Sequence, residues 1–190
     1  MSAAGATPPH GVAGPPARLV TARWVLPIAA PPIADGAVAI DRAGRIAWVG
    51  PRADAPAGPV HDLGDAILVP GLVNAHTHLE LTAMRGFLEH ADFFAWIRTL
   101  TRARAEVLDD AALLDGARLG VLEGLLGGVT TFADTSASGT PLDALVELGA
   151  RGVLYQEVFG PDGAPRDGAM RGLRGAVAAL KARVAAGGDG

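Results

Sequence analysis

After Pro70-Gly71 the chain alternates between two hydrophobic rhythms, and this alternation constrains the fold more than any other feature. Three short apolar or β-branched runs, at residues 72–76, 129–134 and 152–159, read as strands. Each is followed by helical spacing. Phe93, Phe94, Ile97 and Leu100 mark the first helix, over residues 92–107. Asp109 or Asp110 can cap a second helix carrying Leu114, Leu119, Leu122 and Leu126, stopped by Gly127-Gly128. Thr140-Pro141-Leu142-Asp143 places a capping hydroxyl, a proline at the first helical position and an acid for a third helix that stops at Gly149. Leu173, Ala176, Val177, Leu180 and Val184 form the face of a last helix. Strands alternating with helices predict βα units on a parallel sheet, hence an α/β fold with about three units.

The first 70 residues follow another pattern. Residues 1–17 are almost entirely small residues and proline, and such a segment buries too little surface to offset its ordering entropy. We expect a disordered leader there. Residues 18–29 and 36–50 are rich in Val, Ile and Trp, and Asp41-Arg42-Ala43-Gly44 predicts a hairpin turn near Gly44. With a further short run at 66–69, the segment 18–68 reads as several short antiparallel strands.

Composition removes several classes of function. Hydrophobic residues make up 49% of the 190 and charged ones 19%, which excludes wholesale disorder. The net charge is −4 with no run of Lys or Arg, so we expect neither a nucleic-acid nor a membrane partner. No stretch approaches the roughly 18 consecutive apolar residues of a spanning helix. There is no cysteine, which excludes disulfides, thiolate metal sites and cysteine nucleophiles. The N-terminus lacks the basic and apolar regions of a signal peptide, and a cytoplasmic location is the expectation.

The chemistry concentrates in residues 69–86, VPGLVNAHTHLELTAMRG. His76 and His78 stand two apart at the end of a strand, so both side chains point to the same side of the sheet. There they can converge on one point beyond the strand's C-terminal end, and neutral imidazole is a favoured ligand for zinc, iron and nickel. Two ligands do not complete a catalytic zinc site, which normally has three plus water. A plainer reading is two polar residues hydrogen-bonded to a loop.

Pro70, Gly71, Leu72, Val73, Asn74, His76 and His78 together resemble the metal motif on the first barrel strand of the amidohydrolase superfamily. The branch with nucleoside and triazine deaminases and chlorohydrolases is the most similar, and residues 79–97 look most like aminodeoxyfutalosine deaminase and its relatives. Gly128-Val129-Thr130-Thr131 with Asp134 is similar to the second strand and Arg151-Gly152-Val153-Leu154 to the third. The resemblance implies part of a small β-sandwich over residues 18–68 and the first part of a TIM-like (β/α)8 barrel over 69–190. It implies that His76 and His78 ligate one divalent metal ion, zinc first and iron second. It also implies hydrolysis of a non-peptide C–N bond, with a heterocyclic amine or nucleoside as the small-molecule substrate. The family's remaining histidines, proton-shuttling Glu and late Asp match nothing in this chain. Nor does the carboxylated lysine of two-metal branches, since the lone Lys181 lies on a helix.

Other positions carry open alternatives. Glu80 can face the substrate pocket or be a surface carboxylate. Arg85 can be a substrate-side residue or the partner of a nearby acid. Trp96 can reach the substrate or pack in the core, the latter favoured by its spacing with Phe93 and Leu100. Asp134 ends the second strand at the site face or caps a loop, and one of Gln156 and Glu157 faces inward. His10 belongs to the leader, His61 to the sandwich region and His90 to the loop after the first strand, where a solvated residue is expected. Because a closed barrel takes about 250 residues, a second expectation stands beside the enzyme. In it this chain alone is an inactive fragment, or a half-barrel that needs another chain.

Overall fold

The computed structural model describes residues 16–88, 92–158 and 166–187. These fall into two compact units, Met1–Pro70 and Gly71–Gly190. Residues 1–15 of the expected leader, and His10 and His90, lie outside the described residues. Ala17 is tied down, its N–H donating to the Ile40 carbonyl at 2.8 Å.

In the first unit, β1 (Arg18–Val25), β2 (Ile33–Ile40) and β3 (Ile46–Pro51) form an antiparallel meander. The β2–β3 turn uses Gly44 at φ 74°, and the Asp41 carboxylate accepts the N–H groups of Ala43 and Arg45. A left-handed residue is what a tight hairpin needs there. The expectation of antiparallel strands throughout is corrected on the other side of β1. Both β4 (Val60–Asp62) and β5 (Ile67–Leu68) run parallel to it. Residues 52–59 cross over and return the chain in the direction of β1, the connection that parallel pairing requires. Strand β4 escaped the sequence reading because Val60-His61-Asp62 is exposed and carries no apolar alternation. Among the described residues this unit is one five-stranded sheet, ordered β3-β2-β1-β4 with β5 also on β1. Leu19, Ala39 and Ala47 form its core, with Trp48 and Ala55 packed against them.

The second unit is a parallel three-stranded sheet with helices. In chain order come β6 (Leu72–Thr77), a 3-10 turn (Leu79–Met84), α1 (Phe93–Val107), α2 (Asp110–Leu126), β7 (Val129–Ser136), α3 (Thr140–Glu147), β8 (Arg151–Gln156) and α4 (Arg166–Gly187). Strand order is β6-β7-β8. The helix starts are set by side chains. Asp92 accepts the N–H groups of Phe94 and Ala95, and Asp109 accepts that of Ala112. Thr140, expected as the cap of α3, lies one residue inside the helix, and Gly139 at φ 77° takes the capping position. A left-handed turn there lets the chain leave β7 and enter α3 directly.

The core of this unit gathers Leu79, Ala117, Val121, Phe132, Ala144 and Leu145. It lies between one face of the sheet and helices α2 and α3. Along β7, Phe132, Asp134 and Ser136 are buried, while the residues between them are half-buried, the period of two that a strand imposes. Glycines let the elements approach. A Cβ on Gly124 of α2 would stand 2.5 Å from the Phe132 ring, and one on Gly152 of β8 would stand 2.8 Å from Leu145.

Candidate metal centre

The register of β6 on β7 decides where the histidines point. Val73 pairs with Thr131 and Asn74 with Phe132, but the next pair is Thr77 with Asp134. Three steps along β6 match two along β7, so one extra residue is accommodated between Asn74 and Thr77. Paired residues of neighbouring strands share a face. Asn74 and Thr77 therefore lie with Phe132 and Asp134 on the helix-packed side. His76 and His78 lie on the opposite, open side with Val73, Ala133 and Thr135. An irregularity of this kind re-aims side chains at a strand end. The two rings are edge-on, 5.2 Å between centroids and 78° between planes. His76 is exposed and His78 half-buried.

The turn after His78 is polar beneath and tightly held. The Leu79 N–H donates to Asp134 Oδ1 at 2.7 Å. Asp134 is fully buried, and its Oδ2 has no hydrogen-bond partner among the described residues. Burial pushes its carboxyl up to about 6, and the nearby Glu80 charge adds to the rise, while the Leu79 N–H and His78 oppose it. Of the two readings left open for Asp134, the contact it makes is the loop cap.

Glu80 is neither on the surface nor open to a ligand. It is 4% exposed and engaged at both oxygens. Arg104 of α1 reaches Oε1 through Nε at 3.0 Å and Nη2 at 2.8 Å. Ser136 donates to Oε2 at 2.7 Å, and Ser138 donates to the same oxygen. Arg85 is exposed and forms a two-pronged ion pair with Glu123 of α2. Trp96 is half-buried on α1 and lies 6.0 Å from the Phe93 ring. Thus the chain brings His76 and His78 together and places Glu80 and Asp134 beneath them. Arg85 is engaged by Glu123, and Trp96 lies beside Phe93. Gln156 donates to the carbonyls of Ala137 and Glu157.

Sequence reasoning missed Arg104, Ser136 and Ser138. The signal for Ser136 was available, since it follows Phe132 and Asp134 at strand spacing and so shares their face. Arg104 gave none, because it arrives from α1, 24 residues along the chain from Glu80.

The sequence model of the Amidohydrolase family matches residues 67–184. The chain belongs to this family. A 5-methylthioadenosine/S-adenosylhomocysteine deaminase of Moorella thermoacetica is 35% identical over 141 residues, which cover 72% of this chain and 33% of that protein. Among solved structures, a zinc-bound adenosine deaminase from Xanthomonas campestris is similar with TM-score 0.67 and 31% identity, over 73% of this chain and 33% of that one. The aminofutalosine deaminase of Helicobacter pylori shares the fold at TM-score 0.67 and 18% identity, over 83% of this chain and 40% of that one. The chain spans about a third of the length of the curated relatives it matches.

In this amidohydrolase chain the imidazole pair fits two places on one ion. A tetrahedral site with Zn–N bonds of about 2.1 Å sets two ligating rings roughly 5 Å apart, as the rings of His76 and His78 are. Among the described residues no group of three or more His, Asp or Glu side chains is gathered for a metal. Among the same residues, no helix is long and apolar enough to cross a membrane.

Proposed function

We propose that His76 and His78 are two ligands of a single divalent metal ion, zinc or iron, in a hydrolase that deaminates an aminated heterocycle or nucleoside. The observation that carries this reading is the paired imidazoles on the open face at the C-terminal end of a parallel strand, where α/β barrels keep their sites. When bound, such an ion supplies hydroxide near neutral pH. The chain's own residues give that ion two neutral nitrogen donors and fix their direction through β6. The reaction adds water across a ring carbon bearing an amino group, breaks the C–N bond and releases ammonia. The names of the Moorella and Xanthomonas relatives favour an adenosine-type purine nucleoside as the substrate.

Of the three residues expected on the substrate side, we keep Trp96 in that role. Arg85 and Glu80 we assign to holding the loop after β6, since each is already engaged by an opposite charge.

A second reading has its own support. Val73, Val153 and Tyr155 expose an apolar face beside the histidines, and the described residues offer two ligands where about three are needed. In this reading the 190-residue chain by itself is inactive and needs another chain.

Zinc titration of the purified chain against a chromophoric chelator tests the first reading. His76→Ala and His78→Ala should each weaken binding at least tenfold; equal affinity in wild type and both variants would remove the ligand assignment. Ultraviolet assays with adenosine and 5-methylthioadenosine test the second. No turnover is expected from the zinc-loaded chain alone, and turnover would overturn the need for another chain.

A further inference from the structure

The turn Leu79–Met84 begins one residue after His78, and it is held from several directions. From β7, Asp134 takes the Leu79 N–H at 2.7 Å. From α1, Arg104 takes one oxygen of Glu80; from the end of β7 and the loop after it, Ser136 and Ser138 donate to the other. From α2, two glycines leave room for the turn itself. A Cβ on Gly116 would meet the Glu80 carbonyl at 2.6 Å, and one on Gly120 would meet Thr82 Oγ1 at 2.5 Å and Leu79 Cδ2 at 3.0 Å. The Leu79 side chain, 2% exposed, fills the core beneath.

We propose that Glu80 is a positioning residue. Its carboxylate ties α1 and the β7–α3 loop to the turn and thereby fixes the direction of His78 on the open face. The part of this inference that concerns metal rests on the reading of His76 and His78 as ligands. Glu80 suits the role better than a substrate contact because a carboxylate that binds substrate needs a free oxygen, and both of these are occupied inside the protein. A salt bridge serving stability alone could sit anywhere in the unit, and buried pairs are weak sources of stability. This one is built two residues from a ligand, a span of about 7 Å of chain, so a shift of the turn is passed to the imidazole with little loss. Groups that orient a ligand without touching the metal typically change affinity by about 10–100-fold when removed.

The test uses the 190-residue chain with Glu80→Gln, Arg104→Met and Arg104→Lys. Glutamine keeps an oxygen for the serines and loses the charge that Arg104 answers. In the metal-free chain, amide hydrogen exchange over residues 76–84 should quicken roughly tenfold in Glu80→Gln and Arg104→Met. Exchange in β7 and β8 should stay as in wild type, and Arg104→Lys should recover part of the protection. Zinc affinity should fall about tenfold in the same two variants, and the visible bands of the cobalt-substituted chain should shift. Unchanged exchange over 76–84 in Glu80→Gln overturns the clamp. Faster exchange with unchanged zinc affinity and cobalt spectrum overturns the positioning of His78. If wild type, His76→Ala and His78→Ala bind zinc alike, the ligand reading fails on its own, and the exchange measurement still decides the clamp. Should Glu80→Gln fail to fold, Ser138→Ala removes one of the two hydroxyls, with the same direction of change expected and the same null result overturning the proposal.

Discussion

The two faces of the β6-β7-β8 sheet are made by alternate residues of the same strands, yet they have different fates. On one face Phe132, Asp134 and Ser136 are closed in by α2 and α3, and glycine at 124 and 152 lets helix and strand approach to contact distance. On the other, Val73, Val153 and Tyr155 stand 64%, 54% and 55% exposed. A sheet meant to face water on one side carries polar residues there, whereas parallel sheets are apolar on both faces because both are covered. The open face carries, beside its polar residues, large apolar side chains of the kind a covered face has. The difference teaches that packing is complete where local helices supply it, and that the histidines stand on the side where packing is not.

The largest expected contrast is in packing. Phe132→Ala should cost about 3–5 kcal/mol, because the ring is 1% exposed and seated on Gly124. Tyr155→Ala on the open face should cost no more than about 0.5 kcal/mol. Denaturant unfolding of both variants measures the contrast, and equal losses would mean that the open face is covered in solution.

Next comes the pH response of the closed face. The Asp134 carboxyl is raised from 3.8 to about 6 in the folded chain, so the folded state holds its proton more tightly than the unfolded state. That contribution to stability is fully present below about pH 3.8 and is lost as pH rises through about 6, a change of order 2–3 kcal/mol. Asp134→Asn still accepts from the Leu79 N–H, and the stability difference between it and wild type should move in its favour between pH 4 and 7. A constant difference over that range would show that the carboxylate is solvated.

Two glycines give a smaller and opposite pair of effects. Gly120→Ala places a methyl against Thr82 and Leu79 and should destabilise by about 1 kcal/mol, after the gain in helix propensity is subtracted. Gly175→Ala on α4 meets nothing within 4 Å and should stabilise by up to about 1 kcal/mol. Melting temperatures moving in the same direction would contradict the close approach of α2 to the turn. The smallest effect is expected at Arg85→Ala, since its pair with Glu123 is exposed and screened by solvent; a clear loss of stability on denaturant unfolding would show a role beyond the ion pair.

Much of the second unit was legible because its signals are local. The run at 129–134, the cap at Asp109 and the stop at Gly149 depend on neighbours in sequence, as does the start of the run at 152, whose strand ends at Gln156, and strand periodicity alone placed His76 and His78 together. What was not legible depends on distant residues. Parallel pairing of β4 to β1 follows from a crossover and not from any property of Val60-His61-Asp62. The burial of Glu80 could not be read from a segment in which Arg104, Ser136 and Ser138 are absent. Nor could periodicity foresee the extra residue in β6, because alternation counts positions and does not register where one is skipped.

That skipped position makes the site a matter of odd and even. Let β6 run on from Asn74 in unbroken step with β7 instead, and the imidazoles exchange sides, from the open face into the helix-packed interior. No side chain chemistry would have changed. The direction in which the two imidazoles face is therefore held in the register of one strand as firmly as in the histidines themselves.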